Sequence, residues 1–128
     1  MRMIASAFAA LFLAVLLAGC ASNKPPAPTA TLASGEKVVI SKATYNAYIN
    51  YKQWVMPKSY THPVGDGYFA VTKDGRGWGI TGCPDTFCDV GTLHEADAIR
   101  ECSNRNGGAP CLVFAHQDKI VVPYEIAQ

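Results

Sequence analysis

Cys83, Cys88, Cys102 and Cys111, with His62, His94 and His116, are the side chains of this chain best suited to chemistry. Thiolates and imidazoles hold zinc, exchange electrons or attack carbonyls, and each use needs its own spacing. Structural zinc knuckles place ligand pairs two residues apart. Here four, thirteen and eight residues separate successive cysteines, so no metal site is expected, even with His94 as a further ligand. A redox-active pair uses Cys-x-x-Cys at the opening of a helix, and the chain contains no such pair. A catalytic thiol must be unpaired and near a histidine, whereas these four cysteines can all pair with one another. The histidines follow no ligand spacing and fall in no motif, so each reads as a polar surface residue. Gly-x-Ser-x-Gly, His-Glu-x-x-His and paired carboxylates are absent, which removes the common hydrolase signatures. Asp66, Asp74, Asp85 and Asp89 sit among turn formers, where turn chemistry alone accounts for them. The stretch "DGRGWG" at 74–79 has the glycines of a phosphate loop, but neither its lysine nor its strand–loop–helix setting. No catalytic residue, metal or cofactor is expected.

Aromatic side chains offer a different use. Tyr and Trp are over-represented at binding surfaces, and Tyr51, Trp54, Tyr60 and Trp78 are the candidate binding residues here. A small core needs large side chains too, and helical spacing accounts for several of the aromatics.

The fifth cysteine, Cys20, stands apart. It closes the stretch "MRMIASAFAALFLAVLLAGC", in which Arg2 precedes an apolar run at 3–17 and then small residues. That run is shorter than the roughly 20 residues needed to span a bilayer, so residues 1–19 read as an export signal. Leu17-Ala18-Gly19-Cys20 resembles the lipobox of bacterial lipoproteins. The resemblance implies a diacylglycerated Cys20 thiol, cleavage just before it, and acylation of the new amino end. One acyl chain holds a protein weakly, whereas two or three anchor it stably. Ala21 follows the cysteine, where an aspartate would favour the inner membrane of a Gram-negative cell. The resemblance therefore implies the periplasmic face of the outer membrane.

Charge argues against other partners. The chain has 11 Lys+Arg against 10 Asp+Glu, and Arg2 belongs to the leader, so the remainder is balanced. A balanced chain has neither the basic footprint of a nucleic-acid binder nor a polybasic lipid patch.

The elements that must position these residues begin after a tether. Residues 20–35 comprise the lipidated cysteine and a Pro/Ala/Ser-rich segment with no apolar period. Residues 36–128 form the domain. "KVVIS" reads as a strand, and Ser41 caps a helix over "KATYNAYINYKQWV". Tyr48, Tyr51 and Val55, with Ala47 and Trp54, recur in it at three- and four-residue steps. The helix ends before Pro57. "YFAVTKDGRGWGIT" reads as a hairpin turning at Asp74-Gly75, and Gly77, Gly79 and Gly82 leave room for close approach. Thr92 and Glu95 form a capping box for a helix reaching Arg105. Ala96, Ile99 and Cys102 line its apolar face, and Asn106-Gly107-Gly108 stops it. "CLVFAH" and "KIVVPY" make a last hairpin around Gln117-Asp118. The expected class is α+β: a small antiparallel sheet of two hairpins with two helices packed on one face, stapled by disulfides.

With Cys20 set aside, four cysteines in a small exported domain read as two disulfides. The favoured pairing is Cys83–Cys88 with Cys102–Cys111, and the alternative is Cys83–Cys111 with Cys88–Cys102. Residues 68–122 also resemble small extracytoplasmic disulfide-containing domains of bacteria, in Phe69-Ala70-Val71, Asp74-Gly75, Gly77-Trp78-Gly79, Ala98 to Cys102, and Cys111-Leu112-Val113-Phe114-Ala115. That resemblance implies a folded disulfide domain and brings no activity with it.

The expected function is a lipid-anchored envelope protein. Its domain would be a non-enzymatic module that binds or scaffolds an envelope protein or peptidoglycan. The alternative is a small envelope enzyme or inhibitor acting on cell-wall or protein substrates, with His62 or His94 beside a loop aspartate.

Overall fold

A computed structural model describes residues 25–56, 65–83 and 93–128. The elements are β1 (Val38–Ile40), α1 (Lys42–Val55), β2 (Asp66–Thr72), β3 (Trp78–Cys83), α2 (Glu95–Arg105), β4 (Cys111–His116), β5 (Lys119–Ile120) and β6 (Tyr124–Ile126). The fold is α+β. One antiparallel sheet has the order β3-β2-β4-β5. Separately, β1 pairs with β6 in parallel, Val38 opposite Tyr124 and Ile40 opposite Ile126.

Local chemistry explains the first helix and the first hairpin. Ser41 sits in extended conformation and its Oγ accepts the Thr44 N–H at 3.1 Å, which satisfies one of the free donors of α1. Thr44, Tyr48, Tyr51 and Val55 form the buried stripe. In the hairpin, the Thr72 hydroxyl donates to Asp74 Oδ1 at 2.6 Å and accepts the Gly77 N–H at 2.9 Å. Gly75 turns at φ 69°, and a Cβ there would run into the Val39 carbonyl.

Strand β2 is central and is buried on both faces. Phe69 and Val71 share one face with Leu112, Phe114 and Ala115, and Tyr48, Tyr51 and Val55 of α1 cover them. Tyr48 meets Phe69 and Phe114 edge-on, at 5.7 and 5.4 Å between ring centroids. Ala70 points the other way, where Ala98, Ile99 and Cys102 of α2 close over it with Cys111. The helices therefore lie on opposite faces of the sheet, which corrects the expectation that both pack on one. Side-chain size is the reason. Ala70 stands opposite Gly79, and a Cβ at Gly79 would run into the backbone of Cys102, so α2 rests almost directly on the strands. The other face carries large rings and needs the aromatic stripe of α1.

Helix α2 also starts later than its sequence suggests. His94 is the N-cap and makes no side-chain capping bond, and Glu95 opens the helix rather than closing a capping box. Thr92 lies outside the described residues. Glu95 and Asp97 supply negative charge to the first turn. The buried stripe is Ala98, Ile99, Cys102 and Ser103, and Ala96 is exposed. Gly107 and Gly108 both take positive φ, and the Gly108 N–H returns to the Ser103 carbonyl at 2.9 Å. The last hairpin is shorter than expected. Lys119 and Ile120 pair back onto β4, the Val121 N–H adds a bond to the Phe114 carbonyl at 2.9 Å, and the chain then leaves to join β1.

The segment assigned to the tether reaches the domain at Pro25. The Cys111 N–H donates to the Pro28 carbonyl at 3.0 Å, and the Ala30 N–H donates to the Cys111 carbonyl at 2.7 Å. Thr29 thus forms a parallel bridge to Cys111, on a stretch of β4 that β5 does not reach. Ala27 packs on the α2 side of the core, while Ala30 and Leu32 pack on the α1 side. Beneath this bridge, Cys102 and Cys111 form a fully buried disulfide. That bond excludes the alternative pairing. Cys83 is disulfide-bonded as well, and its expected partner, Cys88, lies outside the described residues.

Candidate functional site

Among the described residues, a group of polar, chemistry-capable side chains lies where β2 begins and β4 ends. The antiparallel register sets Tyr68 opposite His116, with Asp66 two residues before Tyr68. His116 Nε2 lies 3.1 Å from Asp66 Oδ1, which also accepts the Gly67 N–H at 2.9 Å. The Tyr68 ring stacks on the imidazole at 4.3 Å and 8°. The Asp66 side chain is 8% exposed, whereas that of His116 is 43% exposed. With the Asp66 carboxylate as acceptor, the imidazole donates from Nε2.

Tyr51 lies behind this pair. Among the described residues its buried hydroxyl has no hydrogen-bond partner. The Gln117 N–H faces it but is committed to the Gly67 carbonyl at 2.9 Å. Burial first, and then the negative charge of Asp66, raises the Tyr51 phenol above its ordinary range. The same two causes raise Tyr68. Tyr48, one turn earlier on α1, donates to the Asp118 carbonyl at 3.1 Å and is pushed up to about 12, by burial before the Asp118 charge.

Sequence reasoning treated Asp66 as a turn former and His116 as a lone surface histidine. They are fifty residues apart, and only the β2–β4 register joins them. Alternation alone would set His116 on the face of Leu112 and Phe114, away from Tyr68. A bulge in the ladder between Phe69 and Ala70 shifts the register and brings the two together, and no local signal marks it. His94 is exposed at the start of α2, and His62 lies outside the described residues.

Tyr51 is a core residue at 3% exposure. Trp54 is half-buried and lies over Gly82, where a Cβ would press on its ring. Trp78 is half-buried, with Phe69 stacked at 5.7 Å and the Arg105 guanidinium over its ring at 4.4 Å. Tyr60 lies outside the described residues, as does Cys20.

Two grooves open on the described surface. A groove of about 430 Å³ runs between β3 and α2, lined by Thr81, Asp97, Arg100, Glu101 and Asn104 among others. Another, of about 370 Å³, lies by the β2–β3 turn at Lys73, Arg76, Asn106 and Pro110. Neither is lined by Asp66 or His116. Among the described residues, no group of three or more His, Cys, Asp or Glu side chains comes together to hold a metal ion. No family model, curated protein or solved structure matches the chain.

Proposed function

We propose that this chain is a lipid-anchored cell-envelope protein, held at Cys20 on the periplasmic face of an outer membrane. Its disulfide domain acts as a non-enzymatic module that binds or scaffolds an envelope protein or peptidoglycan. The observation that carries this reading is Leu17-Ala18-Gly19-Cys20 directly behind a short apolar run. Bonded cysteines at 83, 102 and 111 support it, because such bonds persist in oxidising compartments. The shallow grooves of the described surface favour binding over catalysis. The test is the intact mass of the protein purified from membranes. Loss of residues 1–19, added acyl mass at Cys20 and the hydrogen deficit of two disulfides are expected. A mature chain that keeps its leader and carries no lipid would overturn the reading.

One observation favours a second reading, a small envelope hydrolase. Asp66 orients His116 in the manner of a general base, with Nδ1 left to act on a substrate. Under this reading His116→Gln abolishes turnover of a cell-wall or peptide substrate. Under the binding reading there is no turnover to abolish.

A further inference from the structure

We infer that the α2 side of the domain is a membrane-facing surface, held there by residues 25–32 acting as a strap. The inference rests on lipidation at Cys20. The strap is fixed at several points. Pro28 and Ala30 bracket Cys111 through two backbone hydrogen bonds, Ala27 and Leu32 are packed against the core, and Arg100 Nη2 donates to the Pro25 carbonyl at 3.4 Å. Arg100 lies on α2, one turn beyond its ion-pair partner Asp97. The chain therefore leaves the domain over α2.

Chain length then sets the distance to the lipid. A tether running free over residues 20–35 would reach about 55 Å from Cys20 to the start of the domain at up to 3.3–3.6 Å per residue. Docking at Pro25 leaves five residues, a reach of about 17 Å at most. A domain held on so short a link lies against the bilayer surface, with α2 as its near side. The exposed side chains there, Glu95, Glu101, Asn104 and Arg105, are of mixed charge, so proximity comes from the anchor and not from attraction to anionic lipid. β6, paired with β1 on the α1 side of the core, lies farther from the membrane.

The experiment is carboxyl footprinting of the full lipidated protein in phosphatidylethanolamine–phosphatidylglycerol vesicles, compared with the same protein after enzymatic removal of its acyl chains. Glu101 on α2 and Glu125 on β6 are both exposed and serve as the two reporters. Vesicle attachment is expected to protect Glu101 while Glu125 reacts as before. Inserting about 15 Gly/Ser residues between Asn23 and Lys24, which adds roughly 20 Å of mean reach, should abolish that protection. Ala30→Pro, which removes one strap hydrogen bond, should weaken it. Equal modification of Glu101 with and without vesicles, on protein whose mass shows the acyl chains, overturns the strap and leaves the lipoprotein reading intact. Protein whose mass shows no acyl chains overturns both.

Discussion

Two tyrosines on one helix separate the value of a hydroxyl from that of a ring. Tyr48 and Tyr51 are equally buried, but only Tyr48 has a hydrogen-bond partner among the described residues. Tyr48→Phe should lower stability by about 1 kcal/mol, the net worth of one hydrogen bond. Tyr51→Phe removes a buried hydroxyl that gains nothing from its site, and should be neutral or stabilising by about 1 kcal/mol. Urea denaturation of both variants checks the contrast, and an equal loss in the two would refute it. Both phenols also give the fold an alkaline limit. Their folded pKa values lie above the ordinary value of 10.0, with Tyr48 at about 12, so the native state holds these protons more tightly than the unfolded chain does. The stability they contribute is complete below about pH 10 and is lost as pH rises towards 12. Denaturation midpoints should fall across that window, with phenolate absorbance from these two residues developing only as the structure melts. Full ionisation of every tyrosine in an intact fold would contradict the assignment. Asp66→Asn removes the carboxylate that accepts from Gly67 and pairs with His116. A cost of about 1 kcal/mol is expected, because the amide keeps one acceptor for the Gly67 N–H and His116 is part-exposed, measurable by the same titration.

At the scale of elements, α2 sits tightly on β3 at Gly79. Gly79→Ala should cost about 3 kcal/mol, because the added methyl meets backbone and not a yielding side chain. The Cys102–Cys111 bond closes a nine-residue separation, and replacing both cysteines by alanine should cost about 2–3 kcal/mol by loop entropy. A midpoint unchanged by either substitution would show that α2 is held some other way. Where a signal was local, the sequence was readable. Ser41, the three-to-four-residue spacing of Tyr48, Tyr51 and Val55, and Pro57 bounded α1. Asp74-Gly75 marked the hairpin. Where a signal depended on partners distant in the chain, it was not readable. "DGYFAV" is apolar on both faces, and alternation says nothing about which helix covers which face. The parallel pairing of Val38 with Tyr124 leaves no mark on either short strand. Asp66 and His116 each look ordinary, and only a register between two strands makes them a pair. Prolines at 25, 26 and 28 disguised a docked segment, because its contacts use the carbonyl of Pro28 and the N–H of Ala30, which proline content does not forbid.

The whole molecule is closed by its parallel pair. β6 is largely exposed, yet Tyr124 packs edge-on against Phe114 at 5.3 Å and stacks near Tyr45 at 6.3 Å. Its strand also covers one edge of Val38 and Ile40, which are fully buried. Removing residues 124–128 should therefore destabilise the fold by on the order of 3 kcal/mol, far more than surface exposure suggests. Thermal unfolding of the shortened chain measures this, and an unchanged transition would show that β1 needs no partner. The same pairing sets the order of assembly. β1 is made before β6 and must wait for residues 124–126 before it can pair, a contact that spans most of the described chain. A nascent polypeptide with this topology leaves β1 unpaired until residues 124–126 have been made. For a protein proposed to cross a membrane before it matures, β1 would meet its partner only once residues 124–126 had crossed.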